Sequence, residues 1–311
     1  MQEQHNGTGE VLALDVGGTK IAGAVVRPDG VITARVQIPT PAQDGADAII
    51  KAMTQVVMQL RQHTSGQPVG LGLGAAGVID PLNATVVSAT DTLKNWAGTD
   101  LAAQLLQSTG LTVRAMNDVH AHGLGEAKYG AGTGASSVLL MAVGTGIGGA
   151  LFANGQLLSG FNHVAGHTGH IDSNYAAGLE CSCGRLGHVE AIASGPSIYR
   201  HYQRLAHNSA VTDTKAVAAL AELGDESAYQ ALSTGGLAAG SAIGSLANVL
   251  DPEQIIIAGG MAGAGDIWWQ ALHAGFTASA IDPVSTTKLM PAKLGTDAAL
   301  IGAASLFWCE S

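Results

Sequence analysis

The segment LDVGGTKIAGA at residues 14–24 has a counterpart in AVGTGIGGAL at residues 142–151. Each sets a short Gly/Thr turn between two apolar runs of strand length, the pattern of a tight strand–turn–strand unit. Aligning Gly17 with Gly144 gives an offset of 127 residues. That spacing is far too long for a solenoid repeat. It fits two related α/β halves facing each other.

The rest of the chain alternates strand-like and helix-like segments, as an α/β architecture requires. Residues 10–16, 20–26 and 31–38 predict strands, and 46–60 predicts a helix with Ile49, Ile50, Met53, Val56, Val57 and Leu60 on one face. Further strands are expected at 69–73, 112–116 and 254–258, and helices at 100–109, from Asp118, at 226–250 and at the C-terminus. The expected lobes are residues 1–117 and 118–296, with a final helix in 297–311 packing back on the first lobe. A net charge of −10 argues against a nucleic-acid partner, and no run of 18 apolar residues offers a membrane span. Three cysteines do not make a disulfide framework, so a reducing cytoplasm fits. Cys309, in an apolar C-terminal run, reads as inert packing.

In DVGGTK, Gly17 and Gly18 allow backbone N–H groups to approach an anion, while Thr19 and Lys20 add donors. Asp15 suits a hydrated Mg²⁺. The spacing is neither a Walker A loop nor a dinucleotide fingerprint, and an ordinary hairpin turn would also explain it. The second turn, Gly144-Thr145-Gly146, favours phosphate binding, because two such turns could grip a polyphosphate from both sides. Gly259-Gly260 follows a buried strand, where either a flat adenine or close strand–helix packing would need bare backbone. Asn117-Asp118 ends one strand and opens a helix. Asn117 suits an N-cap, and Asp118 could take the proton of an attacking hydroxyl.

The stretch HVAGHTGHIDSNYAAGLECSCGRLGHVE at 163–190 holds Cys181 and Cys183, with His170 before them and His188 after. Two thiolates and two imidazoles suit a closed tetrahedral zinc site that folds a loop rather than doing chemistry. His167, His170 and Glu190 flank it.

Together these motifs, with NDVHAHGLGEAKYG, AGHTGH, IIIAGG and LGTDAALIGAA, resemble the ROK family of bacterial sugar kinases and sugar-responsive repressors. The resemblance implies a two-lobed actin/hexokinase-like (ribonuclease-H-like) fold, with ATP and sugar in an interlobe cleft and a structural zinc loop. It implies Asp118 as catalytic base, sugar contacts from Gly77, Asn117, His170 and Glu190, and a homodimer. His170 would serve zinc with one ring nitrogen and the sugar with the other.

Three positions depart from the pattern of glucose-type members. Their Glu in A-G-E-x-G-H is His167 here, as in bacterial N-acetylmannosamine kinases, which also share V-E-A-I-A-S-G. Imidazole can donate as well as accept, whereas a carboxylate only accepts. The family's last zinc cysteine is His188, and an Asn four positions before Trp96 is replaced by Thr92, leaving Asp91, Thr92 or Asn95 for that contact. The expected activity is ATP-dependent phosphorylation of the 6-hydroxyl of N-acetylmannosamine. Glucose or N-acetylglucosamine is the alternative acceptor, and a non-catalytic sugar sensor is a minor one. A repressor of this family would carry an N-terminal helix-turn-helix, for which 14 residues before Asp15 leave no room.

Overall fold

The computed structural model describes residues 9–206 and 211–308. Cys309 and the first eight residues lie outside the described residues. The chain divides into two compact units. Unit 1 comprises the chain through Gly134, Ser159–Ala165 and the segment from Leu294 onward; unit 2 comprises Ala135–Leu158 and Gly166–Lys293.

Unit 1 contains β1 (Val11–Val16), β2 (Lys20–Val26), β3 (Ile32–Pro39), α1 (Ala46–Arg61), β4 (Leu71–Ala75), β5 (Val78–Asp80), β6 (Thr85–Ser88), α2 (Leu101–Thr109), β7 (Val113–Asn117) and α3 (Asp118–Tyr129). Its sheet has the order β3-β2-β1-β4-β7. β1 and β2 pair antiparallel, whereas β1, β4 and β7 run parallel. The apolar face of α1, from Ile49 to Leu60, is buried against this sheet, as its helical spacing requires.

Unit 2 repeats the plan. It holds β8 (Val138–Val143), β9 (Ile147–Ala153), β10 (Gln156–Leu157), α4 (Glu190–Ala193), α5 (Gly195–Ala206), α6 (Thr214–Glu222), α7 (Glu226–Leu250), β11 (Gln254–Ala258), α8 (Asp266–Ser279) and β12 (Leu289–Pro291). The sheet order is β10-β9-β8-β11-β12, with β8–β9 and β9–β10 antiparallel beside parallel β8, β11 and β12, as β1–β2 and β2–β3 are antiparallel in unit 1. Ile255 and Ile257 of β11 are fully buried in the core on which α7 and α8 pack.

The chain returns to unit 1 with α9 (Ala298–Ser305), which lies along α3. The crossing is close enough that a Cβ on Gly302 would collide with the Ala121 carbonyl, and one on Gly125 with the Ala298 carbonyl. This packing binds α3 to unit 1, so the division falls after Gly134 rather than near residue 117. Asp118 therefore belongs to unit 1. No helix among the described residues is long and apolar enough to cross a membrane.

Candidate active site and metal cluster

In unit 1 the parallel strands end side by side, and register sets Asp15 beside Gly74 and Ala75 beside Asn117. Ligands in α/β proteins gather at such carboxyl ends. Gly74 lies between two acids: a Cβ there would lie 3.6 Å from Asp118 Cα and 3.9 Å from Asp15 Oδ1, and would press on the Ala121 methyl at 3.0 Å. Burial pushes the Asp15 carboxyl up to about 6, with the nearby Asp118 acting in the same direction and Lys20 pulling the other way.

Asn117 caps α3. Its Oδ1 accepts the N–H groups of Val119 at 2.9 Å and His120 at 3.1 Å. Its amide donates to the Gly77 carbonyl and to Asp118 Oδ1, both at 2.9 Å. Asn117 therefore sets the positions of Asp118 and Gly77. Contact with a sugar hydroxyl would draw on the hydrogen now given to Asp118.

The Gly17–Lys20 turn is clamped by Thr40, whose hydroxyl donates to Gly17 O at 2.7 Å and whose N–H donates to Thr19 O at 3.0 Å. Thr19 and Lys20 keep exposed side chains. Of Asp91, Thr92 and Asn95, Thr92 lies against the turn, with its methyl where a Cβ on Gly18 would sit. The Trp96 indole donates to Ala76 O at 3.0 Å and pins that loop beside Gly77.

In unit 2 the turn Gly144–Gly146 is held from two sides. The Gly195 N–H donates to Gly144 O at 2.8 Å, and Ile147 N–H donates to Glu190 Oε2 at 2.8 Å. A cavity of about 600 Å³ opens here, lined by Gly144, Thr145 and Gly260. Gly146 and Gly259 do not line it. At Gly259 (φ +84°) a Cβ would strike the Val143 carbonyl, so its bare backbone serves strand packing. Sequence reasoning missed the cavity's other walls, among them Gly195, Pro196, Asp213, Thr214 and Lys215. The one local signal was the Asp-Thr helix start at 213–214.

The Cys/His stretch assembles as its spacing predicts. One ligand atom each from His170, Cys181, Cys183 and His188 lie within 4.8 Å of one another. Cys181 Sγ is 3.5 Å from His170 Nδ1, and Cys183 Sγ is 3.2 Å from His188 Nδ1. Donors around a tetrahedral zinc are separated by roughly 3.3–3.8 Å; the two Cys–His pairs lie near that range, and the two thiols and two imidazoles are a donor set that suits the ion. Cys181 builds the turn, its carbonyl accepting from Gly184 N–H and its own N–H donating to Arg185 O. His170 faces the cluster with Nδ1, which leaves Nε2 on the opposite edge of the ring. Burial lowers the His170 pKa and so favours the neutral ring that a metal needs. His167 lies one 3-10 turn before His170, with ring centres 6.2 Å apart. Glu190 reaches the same loop through the Ser182 hydroxyl, which donates to Oε1.

His120 and His122 lie on α3: His120 Nε2 meets the Ala165 carbonyl at 2.7 Å, and His122 Nε2 is buried with no hydrogen-bond partner among the described residues. Glu126 is fully buried, which nothing in the sequence pattern signals. Its oxygens accept the N–H groups of Leu294 at 2.6 Å and Ala131 at 2.9 Å.

The ROK family profile matches residues 11–309. The chain belongs to the ROK family. It is 35% identical to a glucokinase of Halalkalibacterium halodurans, over 94% of this chain and 92% of that protein. It is 31% identical to an N-acetylmannosamine kinase of Escherichia fergusonii, over 95% of this chain and 97% of that one. Among solved structures it resembles a ROK glucokinase from Streptomyces griseus in complex with glucose and AMPPNP. That match has a TM-score of 0.81 and 30% identity, and covers 96% of this chain and 99% of that chain. The two units are thus those of the two-lobed α/β ROK fold.

Proposed function

We propose that this protein transfers the γ-phosphate of ATP to the 6-hydroxyl of N-acetylmannosamine, with Asp118 as the base. The chain is an ATP-dependent sugar kinase of the ROK family. The observation that carries the mechanism is the convergence of Asp15 and Asp118 over Gly74.

In the proposed step the sugar O6–H proton passes to the Asp118 carboxylate. An O6–phosphorus bond forms as the bond to the β-phosphate oxygen breaks, and ADP leaves. Asn117 keeps Asp118 aimed through its 2.9 Å hydrogen bond. Gly77, His167, His170 and Glu190 are assigned to the sugar. The turns Gly17–Lys20 and Gly144–Gly146, with Gly260, are assigned to ATP, and Gly259 is assigned to the strand packing that places Gly260. Asp15 would hold a hydrated Mg²⁺, which neutralises charge on the β- and γ-phosphates. His170, Cys181, Cys183 and His188 would hold a structural Zn²⁺ that orders the sugar-contacting loop.

The choice of N-acetylmannosamine rests on His167. A neutral imidazole offers a donor that a glutamate lacks, and an acetamido carbonyl needs one. Glucose is the second reading, favoured by the 35% identity to the H. halodurans glucokinase. The test is His167→Glu, assayed for kcat/KM on both sugars. A shift of the ratio towards glucose supports the assignment, and an unchanged ratio removes it. Reduced Cys181 and Cys183 and a need for ATP support a cytoplasmic location. The family resemblance supports a homodimer, which light scattering would test.

A further inference from the structure

The cavity in unit 2 is large enough for a small organic ligand, and its walls are mostly bare backbone and small side chains at Gly144, Gly195, Gly260 and Ala264. Among the described residues lining it, Asp213 is the only carboxylate. A carboxylate beside a polyphosphate is repulsive, so it belongs where the ligand is neutral and rich in hydrogen-bond donors.

Asp213 is also the N-cap of α6, with Oδ1 accepting the Ala216 N–H at 2.8 Å. That duty does not require an acid, because Ser or Thr caps a helix about as well. The cap uses one oxygen of two, and a carboxylate has about four acceptor sites. The neighbouring Thr214 hydroxyl is already committed to the Gly195 carbonyl, which holds the α6 start against the cavity wall.

We propose that Asp213 reads the ribose of a nucleoside-diphosphate or -triphosphate ligand, accepting hydrogen bonds from its 2′- and 3′-hydroxyls. A carboxylate on a ribose diol is an established solution in other nucleotide sites. The assignment makes this protein selective for ribonucleotides over deoxynucleotides and over inorganic polyphosphate. It rests on the kinase reading for the identity of the donor, and deepens it by naming the group that selects it.

The test is calorimetric titration of ADP and 2′-deoxy-ADP, each with Mg²⁺, into the wild type, Asp213→Ser and Asp213→Thr. Both variants keep a cap oxygen, so their melting temperatures should match the wild type. The wild type should bind ADP about tenfold more tightly than 2′-deoxy-ADP, the scale of one hydrogen bond to a charged group. The variants should bind both alike and more weakly than the wild type binds 2′-deoxy-ADP, because they lose the 3′-hydroxyl contact as well. Equal binding of the two nucleotides by the wild type, a preference that survives in both variants, or no binding of ADP would each overturn the assignment. Phosphate transfer from ATP to sugar is measured separately. A protein that transfers phosphate without ribose preference loses this assignment alone; one that prefers ADP but transfers nothing loses the kinase reading alone.

Discussion

The carboxylate of Glu190 accepts the backbone N–H of Ile147 at 2.8 Å. Its other oxygen accepts the hydroxyl of Ser182, a residue between the two cysteines of the Cys/His cluster. One side chain thus joins the Cys/His loop to the glycine turn assigned to ATP. Loss of order in the loop releases Glu190 from one side and loosens the turn on the other.

Zinc removal should therefore impair both substrates. Cys183→Ser changes an exposed side chain and spares the core, yet it breaks the ligand set. We expect the variant to lose its zinc and about 2 kcal/mol or more of stability, a fall of about 5 °C in Tm. KM should rise for ATP as well as for sugar. Metal analysis with scanning calorimetry checks this, and a variant with full zinc and unchanged Tm would refute the cluster's role.

Asp118→Asn keeps the shape of the side chain but cannot take a proton. Loss of a general base costs about 10²–10⁴-fold in rate. We expect kcat to fall within that range while the Kd for sugar changes less than about threefold, the size of one weakened neutral hydrogen bond. Steady-state kinetics with sugar titration separates the two, and near-normal kcat would remove Asp118 from the base role.

Asp15 should mark both stability and activity with pH. Its folded pKa, about 6, lies above the ordinary value of 3.8. Its contribution to stability is therefore full below pH ~4 and is lost as pH rises through ~6. A displacement of that size corresponds to about 2–3 kcal/mol. Asp15→Asn removes the buried charge, so the variant should gain stability over the wild type between pH 4 and 8 while losing turnover. Urea unfolding at both pH values measures the difference, and a gap that does not change with pH contradicts the assignment. In the wild type, activity should fall as pH drops below about 6, because the protonated acid no longer holds Mg²⁺.

Glu126 holds the chain before α9 to the end of the helix that begins at Asp118. Glu126→Ala leaves two backbone N–H groups without their acceptor, at about 1–3 kcal/mol each. A total loss of about 3 kcal/mol is expected in denaturant titration. A loss below about 1 kcal/mol would mean that water or a neighbouring acceptor replaces the carboxylate.

Much of the fold is legible in local pattern. The Gly17 and Gly144 turns mark two hairpins of one plan, and the sheet orders of the two units repeat it. The helix face from Ile49 to Leu60 and the long α7 follow from apolar spacing. The Cys/His set is readable because ligand chemistry narrows the choice of residues. The boundary after Gly134 is not, since it depends on α9 packing along α3 through Gly125 and Gly302. The cavity walls at Gly195–Pro196 and Asp213–Lys215 lie on segments distant from Gly144 in sequence, with only a helix start to mark them. Glu126 has the local pattern of an ordinary helix-surface acid; besides the nearby Ala131 N–H, its other oxygen gains a partner when the chain returns at Leu294.

The most direct test of the central claim is ATP-dependent ADP release by the wild-type protein with N-acetylmannosamine, N-acetylglucosamine, glucose and mannose, at saturating ATP and Mg²⁺. The account predicts the highest kcat/KM with N-acetylmannosamine, and 6-phosphorylated sugar as product. A higher kcat/KM with glucose or N-acetylglucosamine would contradict the role given to His167, and no ADP release with any of the four would contradict the kinase assignment of Asp15 and Asp118.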